Sequence, residues 1–201
     1  MNSGPVSPLR RLWVFAKRAA GTVWSAGVLL AHTSSISRSA ESLKVIATLR
    51  SGVYEVRGEF TTAAPLATAW EVLTDYAGIS AFVASIHQST VERRGGDSLR
   101  VRQIASVGVF PFHRTAHVTL VVSEEPQRRI GFVDMLGQDF RKYAGSWALR
   151  ADSGATVVSY TLDAVPRAGA PRWLGRSVMS RTTAELLAQV RREIERRAAL
   201  R

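Results

Sequence analysis

The sequence predicts an α+β protein in which a curved antiparallel sheet wraps around one long C-terminal helix, with two short helices after a first hairpin. Three stretches carry the prediction: an amphipathic run from Pro171 to about Arg197, six alternating segments between residues 86 and 165, and a separate alternating hairpin ahead of them. No connection among the six segments is long enough for a parallel crossover, so they pair antiparallel.

Residues 1–42 read as an address and residues 43–201 as the folded domain. Arg10, Arg11, Lys17 and Arg18 precede Ala19 to Ala31, thirteen residues without a charge, and the polar stretch Thr33 to Ser39 follows with no acid before Glu41. Basic, apolar, then small and polar is the order of a secretory signal. As a helix the apolar run covers only about 20 Å, against a hydrocarbon core of about 30 Å. The expectation is an exported or periplasmic protein whose mature chain starts between about Ser34 and Leu43. The alternatives are a membrane anchor over residues 12–31, an organellar presequence, and a cytoplasmic chain whose N-terminal helix docks on the domain.

From Leu43 the period changes to two. Val45 to Arg50, the turn Ser51-Gly52 and Val53 to Thr62 form the hairpin. Pro65 suits a first helical turn, Leu66, Ala69, Trp70 and Leu73 make an apolar stripe, and Ala77 to Val83 is the second helical piece. The six segments are Ile86 to Arg94, Leu99 to Val107, Phe110 to Glu124, Arg129 to Leu136, Phe140 to Arg150 and Ala155 to Val165, separated by Gly-, Pro- and Asp-containing turns. In the closing helix Leu174, Val178, Leu186, Val190 and Ile194, widened by Leu187, lie on one stripe. Arginines fill much of the rest. Starting at Pro171, such a helix spans roughly 40 Å, enough to cover a small sheet.

The chain carries a net charge of +11, unevenly placed. Residues 1–50 hold seven basic and one acidic residue, residues 171–201 eight and three, and residues 51–170 twelve of each. The balanced core gives no basic binding face, so no nucleic-acid partner is expected, and the helix arginines read as a solvated face. There is no cysteine, hence no disulfide, thiolate nucleophile or zinc-thiolate site.

Along each strand the more apolar parity should face the helix. That rule points Gln103, Phe112, Arg114, Phe132, Tyr143, Trp147 and Tyr160 inward, facing Trp70 and Trp173 from the helical segments. Aromatic rings with a few polar anchors are how small-molecule cavities are built. Arg141 shares parity with Tyr143 and stands either at the cavity mouth or in solvent. His113 and His117 lie on the opposite face about 13 Å apart along the strand, too far to share a metal. His32 and His87 have no partner at useful spacing, and Asp139 reads as a turn residue. There is no G-x-S-x-G elbow, P-loop, H-E-x-x-H or dinucleotide fingerprint. No catalytic residue, metal ligand or cofactor is therefore assigned.

These residues also carry a resemblance. Gly58-Glu59-Phe60, Ala69 to Tyr76, Val91-Glu92-Arg93, Ile130-Gly131-Phe132, Gly137 to Phe140, Gly145-Ser146-Trp147 and Glu193 to Arg197 resemble the START-like, helix-grip superfamily over about residues 44–198, with the polyketide cyclase/dehydrase and coenzyme Q-binding branch most similar. The resemblance implies a deep apolar cavity between sheet and C-terminal helix that holds lipids, isoprenoid quinones or polyketides. Members include carriers, cyclases and ribosome-associated toxins, so an activity does not transfer with the fold. The expected function is binding of a hydrophobic small molecule as carrier or chaperone, with transient membrane contact. One alternative is a cyclase- or dehydratase-like enzyme in which Tyr143, Arg141 or Arg114 polarises a carbonyl. A weaker one is a basic module for RNA or anionic membrane.

Overall fold

The computed structural model describes residues 43–93, 99–109, 112–167 and 175–201, with backbone alone at 93, 107–109, 112 and 113. The expected signal or anchor lies outside the described residues. Among the described residues no helix is long and apolar enough to cross a membrane.

The elements are β1 (Lys44–Arg50), β2 (Val53–Thr62), α1 (Leu66–Thr74), β3 (Ile86–Arg93), β4 (Leu99–Val109), β5 (Phe112–Glu125), β6 (Arg129–Asp134), β7 (Phe140–Asp152), β8 (Ala155–Pro166) and α2 (Arg176–Ala198). All eight strands join one antiparallel sheet in the order β1-β2-β8-β7-β6-β5-β4-β3. The expected hairpin and six-strand meander are both present. What joins them is β2 pairing with β8, from Tyr54↔Ala164 to Thr62↔Thr156. The second helical piece is a single 3₁₀ turn, Ile79–Ala81, because the chain closes on itself there: Asp75 Oδ1 accepts the Gly78 N–H at 3.0 Å, and Val83 N–H reaches back to the Ile79 carbonyl at 2.9 Å.

The sheet grips α2 as expected, but two details differ. Gly175 is extended, with φ −92° and ψ 176°, so the helix starts after it and Pro171 does not open it. The buried face runs Met179, Thr183, Leu187, Val190 and Ile194, while Val178 and Leu186 are only half-buried. Leu187 takes the centre because β2 leaves it room: a Cβ on Gly58 would stand 2.4 Å from Leu187 Cδ1. Leu186, to one side, faces open space within the fold.

The arginine-rich back of α2 is partly paired, with three acids of its own and with two from α1 and the corner after it. Arg181 pairs with Glu185 at 3.0 Å, Arg191 with Glu195 at 2.7 Å, and Arg201 with Glu71 of α1. Arg196 and Arg197 both hold Glu193, and Arg197 also reaches Asp75 Oδ2 at 2.6 Å while lying 5.8 Å from the Phe82 ring centre. This latch ties the end of α2 to the corner after α1.

The latch has an acid signature. Hydrogen bonds from Arg196 and then Arg197 outweigh burial and hold the Glu193 carboxyl at about 2, below its ordinary 4.5. A depressed folded value contributes stability that is complete above the unfolded value and lost as pH falls from 4.5 towards 2. Thermal melts between about pH 6 and about pH 2.5 should show this limb, and Glu193→Gln should flatten it.

Candidate functional site

Between the sheet and α2 lie two adjoining chambers of about 120 and 90 Å³. They share five wall residues: Ile86, Gln103, Tyr143, Tyr160 and Leu186. The first continues along Ala116, Val118, Phe140 and Met179 towards the start of α2. The second runs under the corner after α1, between Tyr76 and Ile79 on one side and Phe132 and Trp147 on the other. Each is smaller than a typical ligand pocket of roughly 300–1,000 Å³, so only the two together offer room for more than one small ring.

The aromatic walls form one connected set. Trp147 lies 4.5 Å from Tyr160, Phe140 lies 4.9 Å from Tyr143, and Phe132 is 6.1 Å from Tyr143 and 6.2 Å from Tyr160, all centre to centre. The Phe132 ring fits because its cross-strand neighbour on β7 is Gly145: a Cβ there would stand 2.7 Å from Phe132 Cζ and 2.1 Å from the Thr161 carbonyl. This gives Gly145-Ser146-Trp147 a physical role, since the glycine makes space for one ring and Trp147, on the same face, supplies the next.

Among the described residues no charged side chain lines either chamber. The hydrogen-bonding groups on the shared wall are Gln103 and the two tyrosines. Burial raises both tyrosine pKa values, Tyr160 well above the ordinary 10.0, so both stay protonated at neutral pH. The interaction between the two hydroxyls raises Tyr160 further and partly offsets the rise at Tyr143. The arrangement therefore offers neutral donors and acceptors to an oxygen-bearing ligand. It offers no phenolate base.

Of the residues expected at the cavity, Gln103, Phe132, Tyr143, Trp147 and Tyr160 meet there. Trp70 is half-buried and packs against the core from α1, outside both walls. Arg114 is exposed on β5 and lines neither chamber. Arg141 is also exposed, and a register shift explains it: Phe140 pairs with Pro166 and Lys142 with Val165, leaving Arg141 as the extra residue of a bulge. The bulge reverses parity, so Phe140 takes the inward place that strict alternation gave to Arg141. The Phe112 side chain and Trp173 lie outside what is described.

A second bulge, between Ile86 and Gln88 on β3, turns Ile86 into the wall and His87 out to Ser106, whose Oγ lies 2.5 Å from Nε2. Ile86 and Phe140 escape sequence reasoning for this one reason. Met179 and Thr183 escape it because the face of α2 is set by its fit to Gly58. Tyr76 stood within a segment that carried the resemblance but was not assigned to the cavity.

His117 is exposed, as expected, and is held by Asp139, which accepts its backbone N–H at 2.7 Å and lies 3.3 Å from ring Nδ1. Asp139 so serves to pin the turn before β7 onto β5. Among the described residues no group of three His, Cys, Asp or Glu side chains could hold a metal ion.

Solved structures with the same fold include TTHA0849 from Thermus thermophilus, with 21% identity and a TM-score of 0.62 over 72% of this chain and 99% of that one. The Zhui aromatase/cyclase from Streptomyces sp. R1128 is similar at 23% identity and a TM-score of 0.60, covering 72% and 95% of the two chains. A START superfamily protein from Mycobacterium smegmatis matches at 15% identity and a TM-score of 0.61, covering 71% and 97%. At these identities the likeness shows the fold. No curated protein matches by sequence. The family described as polyketide cyclase / dehydrase and lipid transport matches residues 54–198, from the start of the second strand to the end of the gripped helix, and this chain belongs to that family.

Proposed function

We propose that the paired chambers hold an uncharged hydrophobic small molecule, of lipid, isoprenoid quinone or polyketide type, and that the protein acts as its carrier. One observation carries the reading: mostly aromatic and aliphatic walls with no charged group among the described residues, three neutral hydrogen-bonding side chains at the junction, and the hydroxyl residues Ser85, Ser106, Thr182 and Thr183 in the first chamber. The family description, which names both polyketide chemistry and lipid transport, supports a ligand of this kind.

Mass spectrometry of solvent extracts from the purified domain is the direct test. A co-purified apolar compound, or a rise in melting temperature on adding lipids or quinones, is the expected result, since a ligand at one hundred times its Kd stabilises by about 2.7 kcal/mol. A clean extract with no shift would refute the carrier reading.

The tyrosine pair favours one second reading, a cyclase-like enzyme in which Tyr143 donates to a substrate carbonyl. Such chemistry also needs a base, and the described walls hold none. Turnover that disappears in Tyr143→Phe while binding persists would establish the enzyme.

We further propose that the carrier works outside the cytoplasm, on the basic-apolar-polar order of residues 1–42. Cell fractionation with N-terminal sequencing tests this. A mature N-terminus between about Ser34 and Leu43 is expected; an intact Met1 in the soluble cytosol would refute export, and one in the membrane fraction would make the segment an anchor.

A further inference from the structure

The hydrogen-bond polarity of the shared wall is set by a relay behind it. Ser89, buried on β3, donates its one hydroxyl proton to the Tyr76 carbonyl at 2.6 Å. Its oxygen can then only accept from Gln103, whose Nε2 lies 3.4 Å away. The opposite orientation of the amide would set its carbonyl oxygen against the Ser89 lone pairs. Gln103 Oε1 is thereby held as an acceptor, and among the described residues no donor meets it and it is not sealed from the cavity. Beside it on the same wall stand the hydroxyls of Tyr143 and Tyr160, each able to donate or to accept. The wall thus presents an oriented neutral acceptor beside two phenol hydroxyls at the junction of the two chambers.

We propose that this junction recognises a neutral hydroxyl group, on an alcohol or a phenol, which donates to Gln103 Oε1. The inference rests on the reading of the chambers as a ligand site and narrows the ligand's chemistry. A ketone or quinone oxygen carries no proton to give and leaves Gln103 Oε1 without a partner on the ligand. A hydroxyl supplies that proton. Ser89 contributes as a positioning residue, since its bond to the Tyr76 carbonyl dictates which end of the amide faces the ligand.

Two probes of similar ring size separate the cases: 2-naphthol, which donates and accepts, and 1,4-naphthoquinone, which only accepts. Equilibrium dialysis against the purified protein should give 2-naphthol about tenfold tighter binding, the scale of one buried group left unpaired. Gln103→Leu should weaken 2-naphthol about tenfold and leave the quinone unchanged. Ser89→Ala, which frees the amide to turn, should bring the two affinities together while both probes still bind. Gln103→Met stands in if the leucine variant fails to fold. Equal binding of the two probes to the parent protein, or an affinity ratio untouched by the Gln103 substitution, would overturn the inference and leave the cavity reading intact. If neither probe binds, the cavity reading falls and the inference with it.

Discussion

Gly145→Ala is expected to destabilise the domain by about 3 kcal/mol, at the upper end of what overpacking a core costs. The added Cβ has nowhere to go: it would stand 2.1 Å from the Thr161 carbonyl oxygen and 2.7 Å from Phe132 Cζ. The ring could shift, but the carbonyl belongs to the β8 backbone and moves only if the ladder between β7 and β8 opens. Phe132, Tyr143 and Tyr160 are in ring contact, so the displacement would also spread into the cavity wall. For a domain of this size the loss corresponds to a fall of about 6–12 °C in melting temperature, readable by calorimetry. A variant that melts with the parent would mean that β7 and β8 are not registered through Gly145↔Leu162.

Leu186→Trp should have the largest effect on binding with little on folding. Leu186 lines both chambers from the half-buried side of α2, so a larger ring there extends into space that is already empty. Filling such space is neutral or stabilising, unlike overpacking a full core. Chambers of about 120 and 90 Å³ leave no room for an indole and a ligand together. The expected result is unchanged melting and loss of the co-purified compound, with any remaining affinity down by about a hundredfold, equivalent to about 2.8 kcal/mol. Retained binding would move the ligand out of the cavity and refute the proposed function.

Much of this fold was legible because strands and helices write their period into the chain. The hairpin, the six-strand meander and the closing helix follow from alternation, turn residues and an apolar stripe, and each stands within a few residues of its expected bounds. The same alternation brought Gln103, Phe132, Tyr143, Trp147 and Tyr160 to one face, since between bulges parity alone fixes which way a strand residue points. Arg141 shows where that rule ends: one extra residue between Phe140 and Lys142 reverses the faces, and nothing in Phe-Arg-Lys-Tyr announces it.

Sequence by itself determined the elements, the antiparallel pairing of neighbours and most of the aromatic wall, because those depend on contacts between residues close along the chain or on a period of two. Tertiary structure decided the rest: the pairing of β2 with β8, the bulges that turn Ile86 and Phe140 inward, the rotation of α2 that seats Leu187 over Gly58, and the Ser89–Gln103 relay. Each of these is a fit between surfaces far apart in sequence, where the position of one side chain is set by the space or the lone pair that another leaves. Such complementarity has no period, and so it becomes visible only once the chain has closed around its helix.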